Sequence, residues 1–157
     1  MKQQLYVGKK PTESTFRKIR NDFIKANGGL WTSTFFPNIG SDWVEWCRAE
    51  MPDWIKNRES WILSVKGDAK LLVIDNYSDL EKTYEDFPLV SGSGFQCLDF
   101  EKISKHYDGV HLTTEGQWAT RFSYPLTLYG WDCECTHWFR WCFDDIEYFQ
   151  LKEVNGF

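Results

Sequence analysis

Two carboxylates, Asp132 and Glu134, stand two residues apart in Trp131-Asp132-Cys133-Glu134-Cys135-Thr136-His137-Trp138-Phe139, a run otherwise dominated by aromatic rings and sulfur. Read as a strand, that spacing places Asp132, Glu134 and Thr136 on one face and Cys133, Cys135 and His137 on the other. A carboxylate on a largely apolar strand calls for a partner or a ligand, because an unpaired charge is costly to strip of water. One face of this strand therefore looks like a site, with Asp132 and Glu134 as its candidate residues.

The sulfur face suggests other chemistry. Cys133, Cys135, His137 and Cys142 form C-x-C-x-H-x4-C, with ligand types that zinc accepts. On an extended strand such ligands lie about 7 Å apart per step, whereas zinc gathers them around one point, so these residues read better as core than as a zinc-stabilised module. A Cys nucleophile lacks support, since nothing places a His beside a particular Cys and a strand thiol has no helix N-terminus to activate it. Ser91-Gly92-Ser93-Gly94 reads as a flexible connection, because no Lys followed by Ser or Thr completes a phosphate loop.

The 157 residues suffice for one ordinary domain with a real core. Nine Trp and an aromatic share of 18% exceed what a small core needs. Some rings are therefore expected to line a cleft for a flat or ring-bearing ligand. A net charge of -5 argues against a general nucleic-acid binder. There is no apolar run of about 18 residues and no charged-then-apolar leader, which predicts no membrane association and a soluble, cytoplasmic protein, in the host cytoplasm if phage-encoded. Five Cys, an odd number without paired spacing, fit a reducing compartment.

The elements that must position these residues follow from periodicity and punctuation. Strands are expected at 4–8, 30–36, 60–65, 71–74, 109–113 and 131–139, with a last one at 146–154. Helices are expected from 12–14 to 26, over 42–50 capped by Ser41 and ended by Pro52, from 78 to about 86, and over 101–105 capped by Asp99. The basic residues Arg17, Lys18, Arg20 and Lys25 fall on the outer side of the first helix. Helices interleave with strands early and strands dominate late, which predicts an α+β fold with a mostly antiparallel, split β-sheet and flanking helices.

Three segments, Leu5-Tyr6-Val7-Gly8, Gly29-Leu30-Trp31-Thr32-Ser33-Thr34 and Trp131-Asp132-Cys133-Glu134, taken in that order, resemble the ADP-ribosyltransferase superfamily of bacterial and phage type. Its members use a first strand ending in Arg or His before Gly, a second strand with a Ser-Thr-Ser-like or Tyr motif, and a Glu on a later strand. The step Tyr107-Asp108-Gly109-Val110, entering the strand before the Glu strand, adds to the likeness. The resemblance spans most of the chain through short motifs, and implies one ADP-ribosyltransferase-like domain over 1–157 with NAD+ as substrate. Cleaving the nicotinamide–ribose bond develops a ribosyl cation, and the resemblance gives Glu134 the role of stabilising it.

On that reading Ser33 and Thr34 hold the ribose and orient Glu134, and backbone groups around Gly8 take the nicotinamide amide. Tyr6, Trp31 or Trp43 stacks on the nicotinamide ring, with Asp132 beside it. Val7 stands where the family has Arg or His, so the contact that anchors the dinucleotide must come from elsewhere, with His111, Arg121 or a basic residue of the first helix as substitutes. The acceptor implied is a host protein or nucleic acid. A second reading from another class is a non-catalytic acidic inhibitor of phage or bacterial origin that keeps the fold and blocks a host defence or nucleic-acid enzyme by docking to its basic groove.

Overall fold

The computed structural model describes residues 3–92 and 94–152. Chain order is β1 (Gln3–Val7), β2 (Leu30–Thr34), α1 (Asp42–Glu50), β3 (Ser60–Val65), β4 (Leu71–Ile74), α2 (Tyr77–Asp86) and β5 (Pro88–Val90). There follow β6 (Gln96–Leu98), α3 (Phe100–Ile103), β7 (Gly109–Leu112), α4 (Thr114–Thr120), β8 (Cys135–Trp138) and β9 (Phe143–Tyr148). Seven strands form one mixed sheet in the order β4-β7-β8-β2-β1-β3-β9, and β5 and β6 pair separately. Every neighbouring pair is antiparallel except β4 and β7. The α+β class and the mostly antiparallel sheet expected from the pattern are found.

Register assigns the two faces, because paired residues in neighbouring strands share one. Val110, His137 and Trp31 are in register, as are Leu5, Ser33 and Ile62. Helices cover this face: Val44 of α1 packs with Leu5 and Ile62, and α2 and α3 send Leu80, Phe100 and Ile103 into a core with Val110 and Leu112. The opposite face carries Thr32, Thr136 and His111 in one row, and buries Leu30, Leu63, Trp138 and Phe143 further along. Local chemistry sets the helix ends. Ser41 Oγ accepts from the Val44 N–H at 3.2 Å and caps α1. Asn76 caps α2 in the same way, accepting from the Asp79 N–H at 2.8 Å.

Four expectations are corrected. The helix from 12–14 to 26 is absent apart from a 3-10 turn at Glu13–Thr15. Arg20 and Asn27 instead form an antiparallel bridge, and Asn21 is tied to the start of α3, donating from its backbone to Glu101 at 3.0 Å and from its side chain to Asp99 at 2.9 Å. These long-range anchors override the helical spacing of Phe16, Ile19, Phe23 and Ile24. Phe23 takes a left-handed φ of 56°, which a right-handed helix forbids. The strand expected over 131–139 begins only at Cys135, because Trp131 turns into the helix-side core and donates its ring N–H to the Ile24 carbonyl at 2.9 Å. The last strand runs Phe143–Tyr148 rather than 146–154, as pairing with β3 dictates, and residues 153 and 154 lie outside the described ones. Finally, α4 forms over 114–120, where no element is expected, its start capped by Thr113 Oγ1 accepting from the Gly116 N–H at 3.0 Å.

Candidate functional site

Glu134 immediately precedes β8, beside the end of β2, where strand alternation sends Ser33 and Thr34 to opposite faces of the sheet. The carboxylate reaches both. Its Oε1 accepts from Ser33 Oγ at 2.9 Å and from the Thr34 N–H at 2.9 Å. Its Oε2 accepts from Thr34 Oγ1 at 2.7 Å and from His111 Nε2 at 2.8 Å. Glu134 is only 7% exposed, so this is a buried carboxylate with both oxygens engaged. Burial pushes its carboxyl up, but hydrogen bonds from His111 and from the hydroxyl and backbone of Thr34, with electrostatic attraction to His111, outweigh it and hold the group below its ordinary value.

The Ser33, Thr34 and Glu134 cluster expected from sequence is thus brought together. His111 as its fourth donor was not legible, because the pairing of β7 with β8 that delivers it is a long-range choice. His111 is engaged with Glu134; of the other proposed stand-ins for the family's basic residue, Arg121 lies over the Phe122 ring at 5.0 Å, and Lys25 lines the cavity described next.

Tyr6, Trp31, Ser33, Trp43 and Asp132 line one cavity of about 270 Å³. Trp54, Trp131 and Lys25 add to its aromatic and charged wall. Glu134, Thr34 and Gly8 are not among the lining residues, so Ser33 Oγ connects the cavity to the carboxylate. Gly8 is a correction: its N–H already donates to the Glu59 carbonyl at 2.8 Å, and its own carbonyl accepts from the Trp61 ring N–H at 3.1 Å. The backbone there has little left to offer an amide.

Trp31 is one of the lining residues and is itself held by its neighbours. The His137 ring lies parallel to it at 4.1 Å, Trp131 meets it edge-on at 4.9 Å, and Lys25 Nζ stands 4.8 Å over the ring. His137 donates from Nε2 to the Gly28 carbonyl at 2.8 Å. Burial pushes its pKa down to about 4, so the imidazole is neutral near pH 7, and its Nδ1 has no hydrogen-bond partner among the described residues. Because its ring already carries these neighbours, a ligand can stack on Trp31 where Lys25 now sits only if Lys25 moves.

The carboxylates crowd one end of the site. Burial, then the charges of Glu134 and Glu45, push the Asp42 carboxyl up. Burial, with Glu134, Asp42 and Asp132, pushes the Cys133 thiol far up, and burial raises Cys47 and Cys142 each to about 11. None of these thiols is a ready nucleophile. Among the described residues no three His, Cys, Asp or Glu side chains are grouped to hold a metal, so Cys133, Cys135, His137 and Cys142 do not form the zinc site their order suggests. No described helix is long and apolar enough to cross a membrane. No family model, curated protein or solved structure matches this chain.

Proposed function

We propose that the protein is an NAD+-dependent ADP-ribosyltransferase-like enzyme, phage or bacterial in style, that modifies a host macromolecule. One observation carries the reading: the three motif-bearing segments meet at neighbouring strands, β8-β2-β1, where Glu134, Ser33 and Thr34 are hydrogen-bonded beside a tryptophan-lined cavity. In the reaction the bond between nicotinamide nitrogen and ribose carbon breaks, and its electron pair leaves with neutral nicotinamide. Positive charge spreads over the anomeric carbon and ring oxygen, where the ionised Glu134 stabilises it. A nucleophile of the acceptor then attacks that carbon and loses its proton. A ribose hydroxyl entering at Ser33 competes for Glu134 Oε1, which places the charge one hydrogen bond from the reacting sugar.

Incubation with labelled NAD+ and a cell lysate tests this. Label transfer or nicotinamide release by the wild type, reduced at least about a hundredfold by Glu134→Gln, is expected, since removing one electrostatic stabiliser costs roughly 10²–10³ in rate. Absence of both activities, or equal activity in the variant, contradicts it.

A non-catalytic inhibitor is the second reading, favoured by Glu134 having both oxygens satisfied away from the cavity wall. Trp118, Phe122, Tyr124 and Tyr129, each more than half exposed, also cluster in one stretch of sequence, with the side-chain types that anchor protein interfaces. Stoichiometric, NAD+-independent inhibition of a partner, lost on charge reversal outside the cavity but not in Glu134→Gln, distinguishes it.

A further inference from the structure

Residues 17–29 lie outside the sheet and fold back on themselves. Arg20 and Asn27 exchange backbone hydrogen bonds at 3.0 and 2.9 Å, and the Gly29 N–H donates to the Arg17 carbonyl at 3.0 Å. Buried Ile19 and Ala26 anchor the inner side of this loop in the core, while Arg17, Lys18, Arg20 and Lys25 are all exposed. The loop therefore carries four cations against one acid, Asp22, in a chain whose net charge is -5.

The acids beside the loop do not neutralise it. Glu101 accepts from the Asn21 N–H at 3.0 Å, Asp99 from the Asn21 side chain at 2.9 Å, and Asp22 from the Asn27 side chain at 3.3 Å. Among the described residues none of the four cations is ion-paired with a carboxylate, so a polyanion would relieve their mutual repulsion. At the turn of the loop Phe23 has its ring 61% exposed and its backbone at φ 56°, a costly conformation for a bulky residue that burial of the ring does not repay. It meets the exposed Phe95 ring edge-to-face at 6.1 Å, so two aromatic rings stand beside the cations. Cations that track phosphates, next to rings on which bases stack, are the parts that hold a single strand. A flat anionic membrane would also meet the acidic remainder of the molecule, whereas a strand one chain wide can touch the loop alone.

We propose that the loop 17–29 is a docking surface for single-stranded nucleic acid, with Arg17, Lys18 and Arg20 on the phosphates and a base stacked on Phe23. The surface lies apart from the Glu134 cluster and needs no NAD+.

Fluorescence anisotropy with a labelled oligothymidylate of about 15 nucleotides, long enough for common site sizes, tests this in the absence of NAD+. The wild type is expected to bind with log K falling against log salt at a slope of about -2, from three cations at about 0.7 each. The triple variant Arg17→Gln, Lys18→Gln, Arg20→Gln is expected to lose most of that slope. Phe23→Ala is expected to weaken binding about tenfold with the slope unchanged, and Phe23→Tyr to keep the affinity, each variant unfolding thermally as the wild type does. Duplex of the same length is expected to bind more weakly, since its bases are not free to stack on Phe23. No binding at low salt, a slope near zero, equal affinity for the duplex, or unchanged binding in the triple variant or in Phe23→Ala overturns the proposal. Equal binding to anionic vesicles or to polyglutamate also overturns it, in favour of a membrane or a general polyanion surface. Because NAD+ is absent, failure here leaves the enzymatic reading standing, and absence of NAD+ cleavage leaves the docking surface standing.

Discussion

Replacing Glu134 by Leu removes the acceptor for four donors at once. Ser33 Oγ retains the Glu134 carbonyl, 3.0 Å away, so its loss is small. The Thr34 N–H, the Thr34 hydroxyl and His111 Nε2 keep no partner in the cluster. Stranding a buried donor costs about 1–3 kcal/mol, and breaking a buried ionic cluster from one side costs about 3–5 kcal/mol. Glu134→Leu is therefore expected to lose about 3–5 kcal/mol, a large part of a typical stability of about 5–15 kcal/mol. With a urea slope of about 1–3 kcal/mol/M, the midpoint falls by at least about 1 M.

Glu134→Gln keeps one carbonyl acceptor, so about 1–2 kcal/mol is expected there. The pH dependence separates charge from shape. Since the folded Glu134 carboxyl lies below its ordinary value of 4.5, its stabilisation is complete above that pH and is lost as pH falls through the folded value. Wild type therefore loses this contribution below about pH 4.5, whereas the Gln variant does not. Urea denaturation from pH 7 to 3 provides the measurement. A cost below about 1 kcal/mol for Glu134→Leu, or an unchanged acid slope in Glu134→Gln, refutes the reasoning.

Further outcomes follow from single contacts. At Gly29 φ is +64° and a new Cβ would stand 2.1 Å from the Trp138 carbonyl oxygen. Gly29→Ala is therefore expected to cost about 2 kcal/mol or more, measured by thermal unfolding. His137, depressed from 6.5 to about 4, contributes stability that is complete above pH 6.5 and declines as pH falls towards 4. The full span is worth roughly 3 kcal/mol, and a His137→Phe variant should be flat between pH 6.5 and 5, above the Glu134 range. All five cysteines are free, and four are buried, so a thiol reagent at pH 7.5 should titrate none of them quickly in the native protein and all five in denaturant. One fast native thiol would contradict the raised values.

Local signals dominated where the sequence was readable. The ends of α1 followed directly from Ser41 and Pro52, and β3 and β4 from the Lys66-Gly67-Asp68 turn that joins the runs 60–65 and 71–74. Segment 12–29 misled because its apolar spacing is helical, whereas the forces acting on it come from Asp99 and Glu101, far along the chain. The helix α4 was hidden by Thr114, Gly116 and Thr120, poor helix formers, of which Gly116 and Thr120 are buried. A Cβ at Gly116 would meet the Ile74 carbonyl oxygen at 2.1 Å, and the cap at Thr113 was the available signal. At the site, Glu134 with Ser33 and Thr34 was legible from short motifs. His111 and Lys25 were not assigned their places, because strand order and an irregular segment bring them there.

The central claim is that the Glu134 cluster and the tryptophan-lined cavity form one NAD+ site, and a crystal structure with a non-hydrolysable NAD+ analogue tests it most directly. The account predicts the nicotinamide ring in the tryptophan-lined cavity and a ribose hydroxyl within hydrogen-bond distance of Ser33 Oγ or Glu134. An analogue bound elsewhere, or an empty cavity with the Glu134 hydrogen bonds unchanged at saturating ligand, contradicts it.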